Sequence, residues 1–156
     1  MHARFLAVIS TLDQKLAELL ACEPLKFGQL PLDMPTAGVY LFCENDHLLY
    51  VGRSNRLRAR YFLHCRQGSK QNQASFAYRL AREILGINRA SYKAGPSSRA
   101  GLAATDTFVE VFTAAKSRIR DMEYRYVEEV DQTRQALLEA YCAIVLETPY
   151  NDFDTH

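Results

Sequence analysis

A glutamate within an apolar helical stretch is the first residue that suggests chemistry. Glu139 lies in Ala136–Tyr141, where its neighbours are alanine, leucine and tyrosine. Burying a carboxylate in such surroundings is costly unless it has a partner. Its hard oxygen atoms suit Mg²⁺ or Mn²⁺, which keep most of their waters and need few protein carboxylates. An exposed helix glutamate is the ordinary alternative, and the apolar neighbours favour a metal ligand over it.

Two tyrosines and an arginine add groups suited to a phosphate ester. Tyr40 ends a Gly-Val-Tyr triplet, Tyr50 begins a Tyr-Val-Gly triplet, and Arg60 follows Tyr50 by ten residues. A guanidinium presents a fixed fork of donors that matches phosphate oxygens. A tyrosine hydroxyl made more acidic by nearby cations can orient or deprotonate an attacking water. Either tyrosine is a candidate for that role, although a single strand tyrosine is more often a core aromatic.

The elements predicted around these residues give an α+β fold. Apolar runs predict a hairpin, with strands at 39–43 and 47–51 joined by a polar turn. Aromatic content and alternation predict a third strand at 122–128. Periodicity and capping residues predict helices at 4–20, 54–65, 73–85, 106–120 and 133–147. The order of these elements predicts a small three-stranded sheet flanked by helices.

The chain is predicted to form one domain with an N-terminal addition and an insertion. Its 156 residues suffice for one hydrophobic core. Residues 1–37 comprise an amphipathic helix and a proline-containing connector, and we expect the helix to pack on the domain, with a dimer contact as the alternative. Residues 38–156 form the main domain, with a basic helix and loop insertion at about 66–120 that includes a predicted loop from Asn88 to Thr105.

Positive charge is concentrated in one part of the chain. Between Arg53 and Arg99 there are eleven Lys and Arg residues and one acid, whereas the remainder has eight Lys and Arg against seventeen acids. This asymmetry predicts a surface that faces a polyanion. The candidate phosphate contacts in this block are Arg53, Arg56, Arg58 and Lys70. The alternative is a basic face balanced by the protein's own acidic remainder.

Composition favours a cytoplasmic protein. The first apolar run, Phe5–Ile9, is too short for a signal peptide or a membrane span. The four cysteines lack the paired spacing of a zinc site or a disulfide framework. Buried free thiols in a reducing compartment are therefore expected.

These residues, taken in order, resemble the GIY-YIG nuclease family. The resemblance is carried by Gly38-Val39-Tyr40, Tyr50-Val51-Gly52, Arg60, Glu139 and Asn151. It covers roughly Gly38 to Asn151. Valine replaces both isoleucines of the family name, which is a conservative change in a strand. The segment between His64 and Met122 is longer than in compact members.

The resemblance implies one phosphodiester-cleaving site on an antiparallel sheet. Its residues would be Tyr40, Tyr50, Arg60, His64, Glu139 and Asn151. One Mg²⁺, or Mn²⁺, would be held by Glu139. His64 resembles a histidine of restriction-enzyme and homing-type relatives, where a phosphate contact or a bond to a tyrosine hydroxyl is implied; an ordinary helix histidine is an equal alternative. Asn151 is expected to tie the chain end to the active-site helix by hydrogen bonds.

The sequence thus predicts a metal-dependent endonuclease that acts on nucleic acid, with DNA favoured over RNA and no membrane partner. One alternative is a nucleic-acid-binding module with a nuclease fold that does not cleave. Another is a structural α+β protein. Phosphate contacts carry no sequence information, so the basic block indicates nucleic acid in general and no particular site.

Overall fold

The computed structural model describes residues 1–87 and 105–153 and has an α+β architecture. The chain forms two compact units, Met1–Arg60 with Met122–Asn151, and Tyr61–Asp121 with Asp152–His156. Of the loop predicted from Asn88 to Thr105, residues 88–104 lie outside the described residues. Among the helices that are described, none has the length and apolar character needed to cross a membrane.

A three-stranded sheet forms the centre of the first unit. Its strands are β1 (Gly38–Glu44), β2 (His47–Ser54) and β3 (Glu123–Glu128). They lie in the order β2-β1-β3, and both pairings are antiparallel. The small antiparallel sheet predicted from the sequence is therefore confirmed. The hairpin turns at Asn45 and Asp46, whose φ values of 50° and 64° are left-handed, as two-residue turns between twisted strands require.

The helices match the predicted positions except at the N-terminus. They are α1 (Ala3–Ile9), α2 (Leu12–Ala21), α3 (Leu57–Cys65), α4 (Ser75–Ile84), α5 (Asp106–Arg120) and α6 (Gln132–Val145). The prediction of a single helix at 4–20 was wrong, because the helix is interrupted between α1 and α2. Ser10 donates its hydroxyl to the Ala7 carbonyl at 2.8 Å. Such a bond competes with the backbone ladder and favours a helix end.

The two faces of the sheet carry different side chains because alternate residues point in opposite directions. The aliphatic face packs against α2 and α6, and its cluster comprises Leu16, Leu19, Val39, Leu41, Cys43, Val51, Val127, Leu138 and Cys142. The opposite face is aromatic: Tyr40, Phe42 and Tyr124 pack with ring centroids 5.2 to 5.8 Å apart. The register pairs Tyr40 with Gly52 and Phe42 with Tyr50, so both triplet tyrosines share this aromatic face.

The second unit is built on α4 and α5. Tyr78 packs on Phe108 with ring centroids 5.4 Å apart, and Phe108 packs on Phe112 at 5.9 Å. Lys116 is buried here; its ammonium donates to the carbonyls of Gln67 and Ser69. Burial lowers the pKa of Lys116. These contacts fix the segment that follows α3.

Candidate active site

Tyr40 projects from the middle of β1, and its side chain is hydrogen-bonded to that of Arg60. Its side chain is 1% exposed, and its hydroxyl accepts a hydrogen bond from the Arg60 guanidinium. Burial first, and then the neighbouring Tyr50, raise the pKa of Tyr40 well above its ordinary value, although Arg60 opposes the shift. The Tyr40 hydroxyl is therefore protonated at neutral pH, which suits a hydrogen-bonding group and not a base.

The glycines of the two triplets are required by close packing. A Cβ atom at Gly52 would lie 2.7 Å from Cε2 of Tyr40 and still closer to its hydroxyl. A Cβ atom at Gly38 would overlap the carbonyl oxygen of Val127 on β3 and lie 3.0 Å from its carbon. Gly52 allows the Tyr40 ring to lie across β2, and Gly38 allows β1 and β3 to approach each other closely.

Tyr50 lies beside Tyr40 on the aromatic face. The two ring centroids are 6.4 Å apart, with a tilt of 48° between the planes. Tyr50 interacts electrostatically with both Tyr40 and Arg60. Its side chain keeps 6% of its surface exposed, against 1% for Tyr40. Of the two tyrosines, Tyr50 is therefore the better placed to meet a water molecule.

Arg60 reaches the tyrosines from α3, whose start is fixed by bonds to the end of β2 and to the segment before β1. Ser54 Oγ accepts the Arg56 backbone N–H at 2.9 Å, and the Leu57 N–H donates to the Thr36 carbonyl at 2.8 Å. Burial acts to lower the pKa of Arg60, but its interactions with Tyr40, and then with Tyr50 and Glu139, outweigh burial and raise that pKa. Arg60 is thus a permanent cation that already interacts with Tyr40, Tyr50 and Glu139.

Glu139 extends from α6 and forms an ion pair with Arg53 of β2. The Arg53 Nε atom lies 3.1 Å from Glu139 Oε2, and the two side chains are 43% and 23% exposed. The carboxylate of Glu139 is therefore partly exposed and paired with an arginine, so its apolar sequence neighbours do not place it in a fully buried environment. Arg53 was predicted to contact phosphate, and in this structure its guanidinium contacts the proposed metal ligand instead.

The donor set fits Mg²⁺ or Mn²⁺ held by one carboxylate. Within residues 1–87 and 105–153, no group of three or more His, Cys, Asp or Glu side chains could hold a metal ion. Glu139 is the carboxylate considered as a ligand. Mg²⁺ commonly binds through one or two carboxylates, its own waters and substrate phosphate. The partial exposure of Glu139 is consistent with that arrangement.

Asn151 binds the outer edge of β2 at the residue between Tyr50 and Gly52. Its Oδ1 accepts the Val51 N–H at 2.8 Å, and its Nδ2 donates to the Val51 carbonyl at 2.7 Å. Oδ1 also accepts the Thr148 hydroxyl at 2.8 Å. The expected bond to the active-site helix was wrong in its target: Asn151 binds the strand, where its amide acts like one residue of a further strand. Edge strands otherwise present unpaired backbone groups.

The remaining predicted residues are distributed as follows. His64 lies in the second unit and is fully buried, so it presents no surface to a phosphate. The Arg58 guanidinium donates to the Pro31 carbonyl, and it therefore holds the connector. Arg56 in the first unit and Lys70 in the second unit are exposed, as phosphate contacts must be.

Sequence reasoning missed a buried glutamine that joins α6 to the loop before α3. Gln135 is 1% exposed. Its Nε2 donates to Asn55 Oδ1 at 2.9 Å and to the Glu129 carbonyl at 2.7 Å. Gln135 precedes Glu139 by one helical turn, so the two share a helix face. This i, i+4 pair of polar residues in an apolar helix was the signal that could have identified it.

Comparison of the chain with protein-family models, curated proteins and solved structures found no match in any of the three. Function therefore has to be inferred from the residues and their arrangement. In one place the first unit brings together a permanent cation, a partly exposed carboxylate and two tyrosine hydroxyls. Such a set can bind a phosphate group, hold a divalent cation and orient a water molecule.

Proposed function

We propose that this protein is a metal-dependent endonuclease of the GIY-YIG type, which hydrolyses phosphodiester bonds in nucleic acid, with DNA favoured. The observation that carries the proposal is that Tyr40 and Arg60 interact with each other and that each of them interacts with both Tyr50 and Glu139. These residues come from β1, β2, α3 and α6. A packing requirement alone does not explain why two tyrosines, an arginine and a glutamate meet at one point.

Each side chain has a role that follows from its chemistry. Arg60 donates to the non-bridging oxygens of the scissile phosphate, and Tyr40, as a neutral hydroxyl, holds the guanidinium in position. Tyr50 orients the attacking water, whose oxygen bonds to phosphorus as the opposite phosphorus–oxygen bond breaks. The proton that the water loses passes to solvent, and the leaving oxygen takes up a proton from solvent. A divalent cation bound at Glu139 would neutralise the charge that develops on the phosphate and on the leaving oxygen.

The basic block supplies affinity for the phosphate backbone. Exposed cations occur in both units, with Arg56 in the first and Arg66 and Lys70 in the second. Contacts of this kind release counterions, so binding must weaken steeply as the salt concentration rises. All four cysteines are free thiols, and a reducing compartment, the cytoplasm, is proposed for that reason.

Cleavage of labelled DNA and RNA substrates with Mg²⁺, Mn²⁺ or EDTA tests the proposal. The panel should include duplexes, single strands and branched molecules. We expect metal-dependent cutting by the wild type that is lost in Glu139→Ala. Glu110→Ala, at an exposed glutamate of α5, is the matched control and should cut normally. If the wild type cuts no substrate with either metal, the proposed endonuclease activity is refuted.

A second candidate, a binding module that does not cleave, is favoured by one observation. The ion pair with Arg53 engages the carboxylate that a metal would need. In that case nucleic acid would be retained in a salt-sensitive manner by both the wild type and Glu139→Ala, with no cleavage by either. The two candidates are separated by the same set of reactions.

A further inference from the structure

The ion pair between Arg53 and Glu139 suggests how metal binding and substrate binding are linked. We infer that Arg53 couples the two events: it holds Glu139 in the free protein and transfers to a phosphodiester when metal and substrate enter. This inference rests on the proposed function, because it takes Glu139 as the metal ligand. It assigns to Arg53 a role beyond a plain phosphate contact.

The geometry allows Arg53 to exchange partners. Its side chain is 43% exposed and starts near the end of β2. Ion pairs with this degree of exposure contribute little to stability, so the bond to Glu139 at 3.1 Å is easily broken. A guanidinium that leaves a carboxylate can donate two parallel N–H bonds to the oxygens of a phosphodiester.

The local charges give the exchange a direction. Glu139 is one negative charge that interacts with two cations, Arg53 and Arg60. A divalent ion that bound Glu139 alone would add positive charge beside two guanidinium groups, which is unfavourable. A phosphodiester supplies a negative charge and a new partner for Arg53. Metal and phosphate should therefore each bind more tightly when the other is present, and the coupling must be reciprocal.

A purely structural role for Arg53 predicts the opposite effect of its removal. If the ion pair served to hold Glu139 in the orientation that binds metal, its loss would weaken metal binding, because a less ordered ligand binds more weakly. If Arg53 competes with metal, its loss strengthens metal binding in the free protein. The sign of the change therefore distinguishes the two roles.

Titration of the free, full-length protein with Mn²⁺, followed by electron paramagnetic resonance, measures that sign without any cleavage. We expect Arg53→Ala, and equally Arg53→Gln, to bind Mn²⁺ roughly tenfold more tightly than the wild type, from removal of one charge near a divalent ion. Glu139→Ala should lose this binding. Arg134→Ala, at an exposed arginine of α6, the helix that carries Glu139, is the matched control and should bind Mn²⁺ as the wild type does.

A second titration, with a phosphorothioate duplex that resists hydrolysis, measures the coupling. The duplex should tighten Mn²⁺ binding in the wild type and do so much less in Arg53→Ala. Three results would overturn the inference. Arg53→Ala could bind Mn²⁺ as weakly as the wild type or more weakly, no variant could bind Mn²⁺ at all, or the duplex could tighten Mn²⁺ binding equally in the wild type and in Arg53→Ala. If the wild type cleaves with metal but Arg53→Ala binds Mn²⁺ with unchanged affinity, the coupling is refuted and the nuclease function is supported. If Arg53→Ala binds Mn²⁺ more tightly but the wild type does not cleave, the competition between Arg53 and metal is supported and the nuclease function is refuted.

Discussion

Replacing Gly52 by alanine should both destabilise the protein and disturb the site. The added Cβ atom would lie 2.7 Å from Cε2 of Tyr40 and closer still to two other atoms of that side chain. The ring cannot move aside freely, because it is 1% exposed and packs against Phe42, Tyr50 and Tyr124. Overpacking of this kind costs about 1–3 kcal/mol.

The same displacement should reduce activity. A shift of the Tyr40 ring moves its hydroxyl, and that hydroxyl accepts the hydrogen bond from Arg60. A misplacement of about 1 Å at a catalytic group can cost about a hundredfold in rate. Gly52→Ala should therefore lose more cleavage than its loss of folded protein explains.

Urea denaturation and single-turnover cleavage, measured on the same preparations, provide the assay. Gly68→Ala is the matched control, because a Cβ atom at exposed Gly68 meets nothing within 4 Å. It should be neutral, or more stable by about 0.5 kcal/mol through the unfolded state. If Gly52→Ala unfolds at the same urea concentration as Gly68→Ala and cleaves as fast, the inferred contact between Gly52 and Tyr40 is refuted.

Three further predictions concern buried groups. Asn151→Ala leaves the backbone of buried Val51 without two hydrogen bonds, so it should lower the free energy of unfolding by about 2–4 kcal/mol; a loss below about 0.5 kcal/mol in urea denaturation would contradict this. Burial raises the pKa of the Cys142 thiol from 9.0 to about 12. Since the unfolded thiol ionises first, stability is complete below its unfolded pKa and falls as pH rises toward the folded pKa, by up to about 1.4 kcal/mol per pH unit. Cys142→Ala should flatten that decline, and an unchanged slope would refute the assignment. Gln135→Leu removes the bonds from α6 to Asn55 and to the Glu129 carbonyl. Because α6 carries Glu139, kcat should fall about tenfold with KM unchanged; a change confined to KM would contradict a positioning role for Gln135.

The sheet could be predicted from the sequence because its signals are local. Apolar runs bounded by the polar turn at 44–46 define a hairpin in any context, and β3 has its own alternating pattern. The break between α1 and α2 could not be predicted in the same way. The apolar spacing continues across Ser10 and Thr11, and the bond from the Ser10 hydroxyl to the Ala7 carbonyl, which favours a helix end there, is not encoded in that spacing.

The types of the candidate site residues could be predicted, but most of their partners could not. The triplets identified Tyr40 and Gly52, whereas the reason for the glycine depends on the strand register that sets them opposite each other. The pairing of Arg53 with Glu139 joins residues 86 positions apart, and no local pattern encodes it. His64 shows the limit of helical spacing: it follows Arg60 by one turn, yet it is fully buried.

Tyr40, Tyr50, Arg60 and Glu139 are proposed to form one metal-dependent site. Single-turnover DNA cleavage by the wild type, Arg60→Ala, Glu139→Ala and the double variant tests it most directly. We predict that each single substitution lowers the rate by at least about a hundredfold. The double variant should be little slower than either single variant, because groups that act as a unit are not additive. Full activity in either single variant, or losses that multiply in the double variant, would contradict the claim.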